Sequence, residues 1–434
     1  MLLLAVPMVL EMALESVFAV VDVFWVSQLG PDAVATVGLT ESMLALVYAV
    51  AIGLAMSAAA MVARRIGERD PEAAARTAVQ AIALGVAIAV PLGVAGALFS
   101  RRLLALMGAS PAVVAGGGTF TAVMLGGNIV ILLLFVINAV FRGAGDAAIA
   151  MRVLWLANAV NLVLDPCFIF GLGPFPELGV TGAAVATTTG RGLGVLFQLW
   201  ALSRGRGRLR VQRAHLRLEP AVMLRLLRVS GSGILQTVVG TASWLGLVRI
   251  LARFGSSALA GYTIGIRMVV FALLPSWGMS NAAATMVGQN LGAGKPERAE
   301  RAVWVAGFYN MLFLGAVGLL FVSAPGVLAR LFTRDTAVVA HATDCLRFVS
   351  YGFLFYAWGM VLTQAFNGAG DTWTPTVLNL FCFWLFEIPV AWLLAVRSGG
   401  GPRGVFAAIT LAFSLLAVVS ALLFRRGRWK NVQV

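Results

Sequence analysis

The chain has 434 residues, of which 60% are apolar and only 12% charged, and its mean hydropathy is +0.93. A soluble domain is about 45–50% apolar and about 25% charged, so a soluble globular fold is excluded; apolar and polar residues do not alternate with period two, which excludes a transmembrane β-barrel. The formal charge of +14 comes from 32 Lys and Arg against 18 acids, yet the bases cluster in short segments between apolar runs, as topology signals do, and not as a nucleic-acid-binding face.

A membrane span needs about 20 apolar residues. Apolar runs bounded by charge, Gly and Pro clusters predict twelve transmembrane helices, over 2–28, 34–63, 75–99, 113–140, 148–172, 178–203, 226–252, 256–288, 301–324, 337–365, 373–396 and 404–424. The expected fold class is therefore an all-α polytopic membrane protein. Met1 runs into apolar sequence with no basic leader, so no cleavable signal is expected, and the natural start is expected upstream. Cys167, Cys345 and Cys382 are far apart and odd in number, and His215 and His341 have no Cys or second His nearby. Neither a disulfide framework nor a metal site is expected.

Ionisable groups inside spans are costly and mark function by default. Span 1 carries Glu11, Glu15 and Asp22 within about 40° on one helical face, with Pro7 on nearly the same face, where it removes a backbone hydrogen bond and permits a bend. Span 5 carries Asn158, Asn161 and Asp165, followed by Pro166. Asp22 and Asp165 lie at similar depth in the outer half of the membrane and can share one polar pocket. Two readings of that cluster stand side by side. It is a cation-coupling site, where burial and a neighbouring acid favour protonation or the oxygens hold Na⁺, or it is a polar network that packs spans 1 and 5. Glu11, nearer the cytoplasmic end, is expected to face the vestibule. Glu41 and Arg267, early in spans 2 and 8, either pair across the unit interface or are solvated separately in the cavity. Arg191 in span 6 either reaches an acid or snorkels. Glu387, in span 11, either binds a cationic substrate or pairs with a base. Phe353, Phe355, Tyr356 and Trp358 cluster in span 10 and, with a few acids, would suit apolar cations. Substrate-cavity candidates are thus Glu11, Glu41, Arg267, Glu387, Phe353 and Tyr356.

An internal repeat organises the chain. At an offset of 225, Gly30 meets Gly255, Gly53 meets Gly278, Met61-Val62 meets Met286-Val287, Pro71-Glu72 meets Pro296-Glu297, Phe141-Arg-Gly-Ala-Gly-Asp146 meets Phe366-Asn-Gly-Ala-Gly-Asp371, and Gly179-Val180 meets Gly404-Val405. Each unit holds six spans. An even number returns the chain to its starting side, so the units share one orientation and are expected to surround a central cavity. The expected division is an N-terminal lobe over 1–203, a basic cytoplasmic linker over 204–225 and a C-terminal lobe over 226–434. The acids of the first lobe have no counterpart: Glu11, Glu15, Asp22 and Asp165 meet Gln236, Gly240, Leu247 and Val390. A purely architectural role would show in both units, so the ionic role is expected in the first. Of the Lys and Arg, 21 fall on the side of loops 2–3, 4–5, 6–7, 8–9 and the C-terminus, and seven opposite. That puts both termini in the cytoplasm. Arg204, Arg206, Arg208, Arg210, Arg213 and Arg217 serve this bias, with anionic headgroups as a second use.

An enzyme is not expected. Intramembrane aspartyl proteases pair a Gly-x-Gly-Asp segment with Tyr-Asp, and the sequence has no Tyr-Asp. The two Gly-Ala-Gly-Asp copies follow apolar runs as helix ends do, with Gly ending one helix and Asp146 or Asp371 capping the next. No phosphate-binding G-x-x-x-x-G-K-[ST] segment is present, so ATP is not the direct drive.

Several segments together resemble the multidrug and toxic compound extrusion (MATE) family of secondary transporters. They are Pro7, Asp22-Val-Phe-Trp-Val-Ser-Gln-Leu-Gly30, Phe141-Arg-Gly-Ala-Gly-Asp146, Asn161-Leu-Val-Leu-Asp165-Pro166, Gly179-Val-Thr-Gly-Ala-Ala184 and Val287-Gly-Gln-Asn-Leu-Gly-Ala-Gly294. The resemblance covers nearly the whole chain. It implies two six-helix lobes and export of diverse small molecules, organic cations above all, by antiport with H⁺ or Na⁺ through alternating access, with no cofactor. A monomer in the plasma membrane of a prokaryote is the expected setting. Within the family the chain is similar to the DNA-damage-inducible branch, whose first-lobe cation site maps onto Asp22, Asn161 and Asp165, with Pro7 at the span-1 bend. The other bacterial branch uses a span-7 acid, which this sequence lacks, arguing against a second-lobe ion site. Glu11 and Glu15 lie outside the carried-over pattern. A lipid-linked glycan flippase of the same broader architecture is the alternative, and it would need Arg-lined cavity walls.

Overall fold

The computed structural model describes residues 2–205 and 207–432, with the backbone alone for 2 and 16–23. It is all-helical among the described residues. The first helices are α1 (Leu2–Ser27), α2 (Pro31–Gly67), α3 (Pro71–Leu106), α4 (Pro111–Gly126), α5 (Asn128–Ala144), α6 (Ala147–Phe170) and α7 (Val180–Arg204). After the linker come α8 (Pro220–Leu251), α9 (Ser256–Gly292), α10 (Pro296–Ser323), α11 (Pro325–Arg330), α12 (Thr336–Ser350), α13 (Phe353–Ala369), α14 (Trp373–Asn379), α15 (Ile388–Trp392) and α16 (Gly401–Arg425). Nine spans among the described residues are long and apolar enough to cross a membrane, and ten when the bent pair α12–α13 is taken as one. The chain is a multi-pass membrane protein.

Local chemistry places the helix ends. Proline opens α2, α3, α4 and α10, where its missing N–H costs nothing. Asp70, Ser110 and Asp335 accept hydrogen bonds from first-turn amides of α3, α4 and α12. Gly145 and Gly370 end α5 and α13 in the left-handed region at φ 93° and 89°, as the Gly-Ala-Gly-Asp segments predicted.

The spans depart from uniform rods in three places. The run predicted over 113–140 breaks at Gly127, between α4 and α5. The run predicted over 337–365 bends by 58° between α12 and α13, at Tyr351-Gly352. Gly127 and Gly352 are repeat equivalents and take nearly the same conformation, φ −79°, ψ 6° and φ −85°, ψ −7°. A Cβ at either would lie within 2.8 Å of a packed side chain, Thr188 or Tyr356 respectively. In the run predicted over 373–396, Leu380–Glu387 and Leu393–Arg397 are wound as π-helix, with i→i+5 pairing, around the short α15 and its Pro389.

The described chain forms two compact units. One holds Leu10–Ser230; the other holds Gly231–Val434 with Met1–Val9, the opening turns of α1. In the first, α2 packs on α5, α3 on α4 and α6 on α7. In the second, α9 packs against α10, α12 and α13, and α16 against α12 and α13. Equivalent glycines make the same approach in both. A Cβ on Gly143 would meet the Ala59 backbone oxygen, and one on Gly368 would meet that of Ala284. Small residues let helix backbones close up in this way where no hydrophobic effect drives them together.

Candidate functional site

A buried polar cluster of the first unit lies where α6 meets α7. Helix packing puts it there. A Cβ on Gly190 of α7 would sit 2.5 Å from the Ala157 carbonyl oxygen of α6, and Gly194 packs on the Ala157 side chain. The glycines draw the helices close one turn from Asn161. There Asn161 Nδ2 donates to Asp165 Oδ1 at 3.2 Å and to Thr187 Oγ1 at 3.1 Å. Asp165 is 1% exposed and Asn161 9%. One amide thus orients a buried carboxyl and ties it to the neighbouring helix. Asn158, one turn before Asn161, is half-buried and its Nδ2 has no hydrogen-bond partner among the described residues. The side chain of Asp22, proposed to share this pocket, lies outside the described residues, and so does Arg206 of the linker.

Thr187 was not anticipated. It belongs to a Thr187-Thr-Thr189 run in a span that also carries Arg191 and Gln198, and the Gly190 near it is the trace in the sequence that this face of α7 packs closely.

Glu11 does not face an open vestibule. It is 2% exposed and its Oε1 accepts from Arg142 Nη1 at 2.8 Å. Arg142 comes from α5, immediately before the first Gly-Ala-Gly-Asp segment. Burial explains the correction, because a carboxylate with so little access to water needs a cation against it. Glu15 lies close enough to act on Glu11 electrostatically, and its Oε2 lacks a hydrogen bond among the described residues. The pairing also has a sequence signature. Under the 225-residue offset Glu11 and Arg142 become Gln236 and Asn367, so both charges disappear together in the second unit.

The remaining candidates scatter. Pro7 sits inside α1 without interrupting the helix, next to Met8, whose backbone lies against Gly278 of α9. Glu41 and Arg267 lie exposed on α2 and α9 of their own units. Arg191 stands over the Tyr48 ring at 6.0 Å. Phe353 is fully buried in the apolar core of the second unit. Tyr356 and Glu387 line a small cavity in that unit. Phe355 is exposed, and Trp358 Nε1 donates to Met311 Sδ.

Asp146 and Asp371 divide in role. Asp371 caps α14, accepting from Thr374 N and Thr374 Oγ1. Asp146 makes no such cap and instead accepts from the Arg208 amide of the linker. Burial pushes the Asp146 carboxyl up, against the opposing effect of that hydrogen bond. The linker is held further along by His215, whose Nε2 meets Glu72 Oε2 at 2.5 Å, and by Gln80, which bonds the backbone at Arg217 and Glu219.

The repeat is also visible in a family match. The MatE family model matches residues 7–167 and again 232–393, and the two matches begin 225 residues apart, at the offset of the internal repeat. The chain belongs to the MatE family. It is a transporter and not an enzyme. A probable multidrug resistance protein NorM of Thermotoga maritima is 26% identical over 428 residues, covering 99% of this chain and 92% of the relative. An FAD transporter of Shewanella oneidensis is 27% identical, covering 94% of this chain and 90% of its own. The solved structure of a MOP-superfamily transporter from Pyrococcus furiosus superimposes with a TM-score of 0.92 at 26% identity, covering 99% of this chain and 96% of that one.

Proposed function

We infer that this MatE protein is a multidrug efflux antiporter that exports amphipathic organic cations in exchange for H⁺. One observation carries the reading: Asp165 is buried and oriented by Asn161 and Thr187, while the repeat equivalent is Val390. The cycle follows from differential binding. With the cavity open inward, substrate enters from the cytoplasm or inner leaflet. The lobes, residues 1–203 and 226–434, then rock outward. A proton binds Asp165 with Asp22 and weakens the hold on substrate, so coupling is a difference of affinity between states. The acid pattern of spans 1 and 5 supports the DNA-damage-inducible branch. The similarity to bacterial relatives and the Arg distribution support the plasma membrane and cytoplasmic termini. The protein is taken to act as a monomer.

The test is uptake of a fluorescent organic cation into proteoliposomes under a pH gradient without Na⁺, then under a Na⁺ gradient alone. Uptake with the pH gradient is the expected result. Uptake with Na⁺ alone keeps the site and changes its ion. The Pyrococcus furiosus structure, described as having a binding pocket of reverse polarity that suggests a different function, and the FAD transporter relative mark the alternative. No cation transport by folded protein under either gradient would move the assignment to a lipid-linked or anionic cargo.

A further inference from the structure

The second unit also sinks a carboxyl into its fifth span. Glu387 is 1% exposed and closes the π-helical turn Leu380–Glu387. Under the repeat it corresponds to Leu162, three positions before Asp165, or about one helical turn. Both units therefore bury an acid on the same span, near the same level, by different residues. Leu162 is 39% exposed. The residue at this position faces outward in the first unit and inward in the second, where π winding alters the register.

The surroundings of Glu387 restrict what it can hold. The cavity beside it is lined by Trp244 and Leu247 of α8, Tyr262 of α9, Tyr356 of α13 and Phe413 of α16, among others. No Lys, Arg or His is among the lining residues. The titratable groups near it are Tyr262, Tyr356 and Cys382, with Cys345 of α12 behind the two tyrosines. Oε2 of Glu387 has no hydrogen-bond partner among the described residues. An uncompensated anion in such a place costs several kcal/mol or more, so the carboxyl requires its proton or a cation. The free volume is about 20 Å³, room for about one water and far too little for a drug-sized cation. A hard metal cation calls for about six oxygen ligands, and this lining offers one carboxyl group and two phenols amid hydrocarbon. A proton needs only the carboxyl.

We propose that Glu387 is a proton-binding site of the C-terminal unit, occupied while its apolar pocket excludes water and discharged when water reaches it. Its use in coupling rests on the antiport reading; the titration does not.

The experiment is infrared difference spectroscopy of the purified full-length protein in lipid nanodiscs across a pH series. Wild type should show a carboxylic-acid C=O band at neutral pH that disappears reversibly as the pH rises. The band should be absent from Glu387→Gln and present in Asp165→Asn. Labelling glutamate with ¹³C should shift it in unmutated protein, which keeps the test valid should Glu387→Gln fold poorly. A glutamate band that persists unchanged across the whole range of folded protein would make Glu387 a fixed structural acid and overturn the proposal. So would the lack of any label-sensitive acid band at neutral pH. In proteoliposomes, Glu387→Gln should halve the number of protons exchanged per substrate. Antiport without a titrating Glu387 band would sink this proposal and leave the transport function standing; the converse result would do the reverse.

Discussion

Gly143 approaches Ala59 in the first unit as Gly368 approaches Ala284 in the second, and Gly127 and Gly352 interrupt equivalent spans with nearly the same dihedrals. On this shared backbone the polar groups diverge. The first unit buries the ion pair Glu11–Arg142, where the second has the amides Gln236 and Asn367. The first holds its fifth-span acid with Asn161 and Thr187; the second leaves Glu387 in an apolar pocket with two tyrosines. Even the exit segments differ in means. His215 meets Glu72 at the first turn of α3, whereas Lys430 pairs with Glu300 of α10 at 2.6 Å and Trp429 stacks on Phe424 at 4.5 Å. The difference teaches that backbone packing is the constrained part of this architecture. At these two contacts a small residue is kept in both units, while a buried polar site needs only internal compensation and can be built several ways.

Changing the charges of one unit is the strongest way to break this comparison. Asp165→Asn is expected to reduce gradient-driven export on the order of tenfold or more, with expression unaltered, while Val390→Asn at the equivalent position leaves the pH drive in place. Proteoliposome uptake at matched protein levels decides it, and full export by Asp165→Asn would remove the first-unit site from the mechanism. Asp22→Asn is expected to behave like Asp165→Asn.

Next in size is the buried ion pair. Arg142→Asn alone strands Glu11 and should cost about 3–5 kcal/mol, read as a lower thermal midpoint in detergent. The double substitution Glu11→Gln with Arg142→Asn installs the residues of the second unit and should recover most of the loss. Failure to recover would mean that Arg142 does more than neutralise Glu11.

The shared glycines provide the symmetric control. Gly143→Val and Gly368→Val should each cost about 1–3 kcal/mol through overpacking, and unequal losses would show that the two contacts are not equivalent. Thr187→Val removes one hydrogen bond from Asn161, worth about 1 kcal/mol. It should shift the pH dependence of export without abolishing it.

The smallest effect concerns Asp146. Its carboxyl is raised by burial, so the folded protein holds that proton more tightly than the unfolded chain. The resulting stability is fully present below the unfolded value and is lost as pH rises through the folded one. Asp146→Asn should flatten the acid limb of a thermal-stability profile against pH. Asp371→Asn, on a capping residue, should instead lower stability at neutral pH.

Much of this was readable in the chain itself. Hydropathy located most of the twelve predicted spans, nine or, with the bent pair, ten of them among the described residues, because lipid admits only segments that satisfy their own backbone. The offset of 225 residues was legible because glycine, proline and capping residues act locally and leave the same mark wherever the backbone repeats. Glycine ends at Gly145 and Gly370 followed from the two Gly-Ala-Gly-Asp segments for the same reason. Tertiary structure decided the rest. Arg142 meets Glu11 across 131 positions of sequence, and Thr187 reaches Asn161 only because Gly190 lets α7 close on α6. The π winding that turns Glu387 inward is likewise invisible in an apolar run. Spacing along a helix tells which side chains share a face; what lies opposite that face depends on how helices distant in sequence pack, and the chemistry of a buried carboxyl is set by that opposite face.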